Sequence, residues 1–392
     1  MTRTLRTNPE QNASGGLWRS LLLAAVVAGL VGVAFAQKPI LIGVQAPITG
    51  QYANEGQGIE KAVKLIAKQV NDKGGLLGRQ IEVQTCDDAG QASQAAICAR
   101  QFVNAGVLAV IGTYTSGAAL AAEPVYARAN VIQTSDGTSD KLTQSGYETF
   151  FRNAPPNSAE AKFTAQYLLD GKHYQRIAVL SDHSSFAQGL SDAVVNEIKQ
   201  AGGNLVYTGF ISAGSQDYTA VLTKIKSVSP DVLYFSGYYP DGGLIRAQME
   251  QLHMDAAFVG GDANQNVAFA KIAGNAAQGA IIVNVPSPEN LPFPAAKQFL
   301  ADYKAAYGED PPSIYTFTNA DGFRAVIAAI EATNSTDPAK LMDWMHGMKD
   351  FQGLTGTFSW DQSGERIGSP FTAFEVQADG SYRIVYPEAA AQ

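Results

Sequence analysis

Hydroxyl groups crowd one stretch of the chain, Ala109 to Thr143, which reads AVIGTYTSGAALAAEPVYARANVIQTSDGTSDKLT. Two apolar segments, Ala109–Ile111 and Val131–Gln133, have the length of buried strands. Each runs into a polar turn, Gly112–Gly117 or Thr134–Ser139, and an alanine-rich helix, Ala118–Arg128, lies between them. Two such turns at the ends of neighbouring parallel strands form one crevice, the place where open α/β sheets bind ligands. Both turns lead toward helices, whose unpaired first N–H groups attract anions. The chemistry expected here is the grip on a carboxylate, that of a small amino acid.

Catalysis finds less support. The adjacent carboxylates Asp87 and Asp88 read as turn and capping residues beside Cys86. His183 precedes Ser184 and Ser185, but no orienting partner accompanies it. A nucleophile elbow, a Walker A loop and a glycine fingerprint after the first strand are all missing from the sequence. His and Cys do not recur at ligand spacing, so neither a metal nor a cofactor is expected.

The elements that must position these turns alternate regularly. Strand Ile40–Ala46, the turn TGQYANEG, helix Gly58–Asn71, strand Ile81–Thr85 and helix Ala92–Asn104 lead into the opening stretch. The helix carries Ile59, Ala62, Val63, Ile66 and Val70 on one face. A series of this kind implies a parallel sheet covered by helices on both faces. The pattern pauses near Pro155-Pro156 and resumes with strands at Ile177–Asp182, Asn204–Phe210, Val232–Ser236, Ala257–Gly261 and Ala280–Val285. After a second break at 286–290 come helices Pro294–Tyr307, Asn319–Ala332 and Pro338–Met348, then strands Gly353–Trp360 and Phe371–Gln377. The fold class is α/β, with two similar Rossmann-like lobes joined by a hinge of three crossings. The lobes are expected at 37–156 plus 287–364 and at 157–286 plus 365–392. A ligand held between them would couple binding to closure.

Residues 1–36 read as an export signal. Arg3, Arg6 and Arg19 precede the apolar run Leu21–Val33, and Ala34-Phe35-Ala36 has the small-x-small form of a cleavage site. Cleavage after Ala36 would leave a soluble exported protein and take the formal charge from −8 to about −10. Such acidity disfavours nucleic acid and anionic membranes as partners. Cys86 and Cys98 would both survive cleavage, and in an oxidising compartment a local disulfide between them is expected.

The chain resembles the periplasmic leucine/isoleucine/valine-binding proteins, the substrate-capturing subunits of ABC importers. The resemblance spans most of residues 38–387 and rests on landmarks in a common order: PITGQYANEGQGIEKAVKLIAKQVNDKGGLLGRQIEV, VIGTYTSG, TSDGTSDKLT, SDHSSFAQGL, YFSGYYPDGG and FVGGDA. It implies the type I periplasmic-binding-protein fold, a monomer that closes on a free amino acid without chemistry, and a membrane permease as partner. By position it assigns Ser116 and Thr138 to the ligand carboxylate and a carbonyl of the Asp136–Gly137 turn to the ammonium. It assigns Tyr238 and Asp262 to the clamp of the second lobe, where aspartate replaces the more usual glutamate. Phe186 is an aromatic wall, and Tyr114 lies beside the site. Glu55 stands where an aromatic residue often lines the side-chain pocket, unless the register brings Tyr52 there instead. With Asp136 also acidic, aliphatic and polar or basic amino acids are both compatible with the sequence, as are short amides, urea and small organic acids.

Overall fold

The computed structural model describes residues 38–387 except Ser369, together with residues 1, 2, 4 and 5. The export signal therefore lies outside the described residues, apart from those four.

Five short apolar runs become the parallel sheet on which the hydroxyl-rich turns are mounted. They are β1 (Ile40–Ala46), β2 (Ile81–Asp87), β3 (Ala109–Ile111), β4 (Ile132–Ser135) and β5 (Phe150–Arg152), arranged 2-1-3-4-5. β3, β4 and β5 are buried along their whole length, as strands covered on both faces must be. The second sheet contains β6 (Ile177–Ser181), β7 (Leu205–Phe210), β8 (Val232–Ser236), β9 (Ala257–Gly260) and β10 (Ile281–Asn284), again parallel. Its far edge is closed by two antiparallel strands, β14 (Thr372–Val376) and β15 (Tyr382–Tyr386), which follow a three-stranded sheet of β11 (Phe351–Gly353), β12 (Gly356–Trp360) and β13 (Arg366–Ile367). The α/β architecture is the one expected.

Several boundaries differ from the sequence reading, for identifiable reasons. Helix α1 (Ala53–Asn71) begins inside TGQYANEG, six residues before the first member of its apolar stripe, so local turn chemistry yields to helix formation. The expected strand Gly353–Trp360 is the second half of a hairpin, whose turn falls at Leu354-Thr355. β5 and β15, three and five residues long, carried no legible period. Helix α2 (Ala92–Ala105) and helix α3 (Ser116–Arg128) pack together over the first sheet, with Phe102, Val110, Ala118 and Tyr126 in one apolar cluster.

The late segments attach to the first sheet. Helix α11 (Tyr315–Thr333) packs along α1, and helix α12 (Pro338–Gly347) packs on α11. Trp360 is fully buried against Phe151 and donates its indole N–H to the Arg152 carbonyl at 2.7 Å. Arg366 donates to the Asn153 carbonyl at 2.7 Å while its guanidinium lies 4.0 Å from the centre of the Phe358 ring.

The disulfide is formed between Cys86 of β2 and Cys98 of α2, twelve residues apart. Closing a loop of that size stabilises the fold by about 2–3 kcal/mol, through the entropy it removes from the unfolded chain. The C86S/C98S double variant is accordingly expected to unfold at a lower urea concentration; an unshifted midpoint would contradict the expected stabilisation.

Candidate ligand-binding cleft

The first wall of the cleft is built from the ends of β3 and β4. Thr115 caps α3, its hydroxyl accepting from the Ala118 N–H at 3.3 Å, which leaves Ser116 as the first helical residue and nearly inaccessible. Ser116 Oγ accepts from the Ser139 N–H at 3.1 Å and so ties the two hydroxyl-rich turns together. In the second turn, the Gly137 N–H donates to Ser135 Oγ at 3.0 Å, and that hydroxyl donates to the Thr113 carbonyl at 3.0 Å. A Cβ on Gly137 would lie 2.8 Å from Leu142 Cδ1 and 3.3 Å from Ser116 Cα, so glycine lets this turn sit against the start of α3 without displacing Leu142.

Arg152 holds the turn from behind. Its side chain is fully buried, pairs with Glu365 at 2.8 Å, donates to Thr143 Oγ1 at 3.1 Å and donates Nη1 to the Gly137 carbonyl. That carbonyl is taken up by a cation. Of the two carbonyls in the Asp136–Gly137 turn, that of Gly137 is thus the one engaged by the arginine.

The second wall comes from the second sheet. Helix α6 (Ser185–Gln200) starts at a Ser184 cap and carries Phe186 in its first turn, while Tyr238 precedes helix α8 (Tyr239–Gln251). The Tyr238 ring packs on Phe186, Tyr114 and Tyr52, at centroid distances of 5.1, 5.6 and 4.5 Å. Tyr239 points elsewhere and donates to the Gln51 carbonyl at 3.1 Å. Past the end of β9, Asp262 is buried and accepts from the Ala263 N–H at 2.7 Å, and Tyr315, the first residue of α11, lines the same cavity.

Between the walls lies a cavity lined by Tyr114, Ser116, Asp136, Thr138, Phe186, Tyr238, Asp262, Ala263 and Tyr315. About 10 Å3 of it is open to a water-sized sphere, room for about one water. Seven residues singled out from sequence therefore meet at one point. The Tyr114 hydroxyl is buried there without a hydrogen-bond partner, a donor left over by the protein.

Gly137 and Glu55 do not line the cavity, Gly137 because its role is to bring Ser116 close. Glu55, in the first turn of α1, turns away from the aromatic cluster, and Tyr52 packs in that cluster in its place. Its carboxyl is fully buried and accepts from Asn266 Nδ2 at 2.5 Å and Ser313 Oγ at 2.7 Å. Asp136 does line the cavity, but both its oxygens are engaged, by Thr318 Oγ1 at 2.8 Å and by Asn319 Nδ2. Burial pushes the Asp136 carboxyl well above the usual range, and burial likewise raises Glu55 to about 7 against the hydrogen bonds from Ser313 and Asn266.

A model of the periplasmic binding protein family matches residues 39–381. The chain belongs to that family. Leu/Ile/Val-binding protein homolog 3 of Brucella melitensis is 30% identical to this periplasmic binding protein, over 92% of the chain and 96% of the relative. The leucine binding protein LivK of Thermotoga maritima superposes with a TM-score of 0.82 at 26% identity, covering 88% of this chain and 97% of that one. LivJ of Streptococcus pneumoniae, the substrate binding protein of a branched-chain amino acid transporter solved with isoleucine, gives 0.81 at 28% identity over 89% and 100%. The type I periplasmic-binding-protein fold is therefore the fold of this chain.

Sequence reasoning missed Tyr315, Arg152 and the donors Asn266, Ser313, Thr318 and Asn319. The pair Pro311-Pro312 ahead of Ser313 offered a signal for an earlier start to α11; the pairing of Arg152 with a residue more than 200 positions away offered none.

Glu55 yields a signed prediction. Its folded-state value of about 7 lies above the ordinary 4.5, so the stability tied to its protonated form is present below about 4.5 and lost as pH rises through about 7. Glu55→Gln should therefore gain stability relative to the parent between pH 5 and 8, by at most about 3 kcal/mol. Denaturant titrations at several pH values test this, and a difference that does not change with pH would place Glu55 in a polar setting.

Proposed function

We propose that the protein captures a free amino acid with an apolar side chain, a branched-chain one foremost, and delivers it to the permease of an ABC importer. The observation that carries this reading is the division of the cavity between two sheets. Ser116 and Thr138, at or near helix starts, stand on one side; Asp262 and Tyr238 stand on the other. A zwitterion leaving water needs both its charges met, at a cost of several kcal/mol for each one left unpaired. Hydroxyls and helix-start N–H groups suit the carboxylate, while Asp262 and a turn carbonyl suit the ammonium.

The side-chain preference follows from the two departures noted in the sequence. Glu55 faces Asn266 and Ser313, and Asp136 is bonded by Thr318 and Asn319, so neither acid is left for a cationic side chain. Aromatic rings and Ala263 remain as the rest of the lining, a setting for aliphatic groups. The names borne by the relatives, and the isoleucine in LivJ, support the same class of ligand. In this reading the lobes are 37–156 plus 287–364 and 157–286 plus 365–392. They close on the ligand with no chemistry performed, the chain is monomeric, and residues 1–36 direct export to the periplasm before removal.

A thermal-shift and calorimetric screen tests the proposal. L-leucine, L-isoleucine or L-valine at a hundred times its dissociation constant should raise stability by ~2.7 kcal/mol. L-arginine and 4-methylpentanoate, which lacks the ammonium, should do far less. Ser116→Ala and Asp262→Ala should each weaken the best ligand at least tenfold, ~1.4 kcal/mol. If only an organic acid or urea moves the melting temperature, the amino-acid reading fails.

A further inference from the structure

Glu160, in the first turn of helix α5 (Asn157–Gln166), does not line the cavity but touches the residue that does. It is almost completely buried, and its Oε1 accepts from the Asp262 backbone N–H at 3.0 Å and from the Tyr234 hydroxyl at 3.5 Å. Gly261 makes room for it: a Cβ there would fall 2.8 Å from that oxygen. The other oxygen, Oε2, is shielded from solvent and receives no hydrogen bond.

An ionised carboxylate cannot comfortably keep one oxygen dry and without a donor. A carboxylic acid can, because its O–H needs only an acceptor, and the neighbouring carboxyl is that of Asp262, whose own backbone N–H already sits 3.0 Å from Glu160 Oε1. The titratable groups facing the pair are Tyr234 from β8, Tyr315 from α11, and Tyr114, Tyr238 and Asp136 across the cavity. All are phenols or acids. Two adjacent buried carboxyls in such company hold one proton between them. Asp262 has the better claim to the charge, because the Ala263 N–H donates to its side chain at 2.7 Å while Glu160 Oε2 receives no donor.

We propose that Glu160 is the positioning residue of the ammonium anchor: held as a neutral carboxylic acid, it donates to Asp262 and keeps that carboxylate charged and oriented. The direction of the ionisation shifts agrees. Burial, then the Asp262 charge, push Glu160 well above the carboxylate range, whereas Asp262 rises by burial only to about 6, held down in part by the Glu160 hydrogen bond. One carboxylate then meets one ammonium. A second charge would have no partner in the cleft.

The inference rests on Asp262 as the ammonium anchor of the proposed function, so the test has one arm that needs no ligand. Infrared spectra of the unliganded protein and Glu160→Gln at neutral pH should differ by one protonated-carboxyl carbonyl band, present in the parent and absent from the variant; identical spectra in that region overturn the inference. The second arm measures L-leucine affinity against pH. Glu160→Gln, a neutral donor of the same shape, should stay within threefold of the parent. Glu160→Ala should bind at least tenfold more weakly at pH 6, with its acid limb displaced to higher pH, because Asp262 loses a donor to its charged form. A tenfold loss in Glu160→Gln, or an unmoved acid limb in Glu160→Ala, overturns the assignment. Should the parent bind no amino acid, the functional reading fails, and the infrared comparison still decides the state of Glu160.

Discussion

Four carboxyl groups, those of Glu55, Asp136, Glu160 and Asp262, are buried almost completely where the two sheets face one another. Left without partners, each would cost several kcal/mol, so the fold is obliged to supply donors at these points. Those donors come largely from elsewhere in the chain. Glu55 on α1 accepts from Asn266, which lies past the end of β9 in the second sheet. Asp262, also from the second sheet, shares the cavity with Tyr315, at the start of a helix that packs on α1. The contacts that bring the two sheets together are thus also the contacts that make the buried carboxyls tolerable. A pair of sheets that satisfied its acids independently would have no such reason to meet.

The scaffold behind the cavity serves the same requirement. Carbonyls and hydroxyls in the two turns after β3 and β4 can face a ligand only if the turns are held at their backs. Arg152 does this for the second turn by donating to the Gly137 carbonyl. Its own buried charge is offset by Glu365, which lies just before β13. Trp360 closes the arrangement with its bond to the Arg152 carbonyl. Segments more than 200 residues apart therefore converge on one arginine, and the late return of the chain to the first sheet has a physical purpose.

These relations explain which features were legible in the sequence. The alternating strands and helices were readable because parallel sheets need apolar runs and amphipathic helices, both periodic signals. Ser116, Thr138, Tyr238 and Asp262 were assigned by position from the family resemblance, and they line one cavity because each follows a strand at the end of its sheet. Glu55 was harder. Its neighbour Tyr52 lies one helical turn away, and only the observed register of α1 shows which of the two joins the aromatic cluster. Glu160 was not legible at all. An acidic residue in the first turn of a helix is the ordinary complement of the helix dipole, and nothing local separates that role from a contact made 102 positions away.

A cleft lined by apolar residues alone would be easier to stabilise, since replacing buried polar pairs by well-packed hydrophobic groups often strengthens a fold. It would also close as readily without a ligand as with one. Here the partners of the acids set a sharper condition. Asp136 and Glu55 are satisfied by protein groups, whereas the buried Tyr114 hydroxyl has no partner and, in the proposed arrangement, the Asp262 charge is only partly met by Glu160 and the Ala263 N–H. A ligand that brings a cationic donor to Asp262 and an acceptor to Tyr114 completes the set; one that brings an apolar group to those points leaves both unmet. On the proposed function, selectivity for the amino-acid backbone follows from what the protein leaves incomplete, and selectivity among side chains from the acids it has already satisfied.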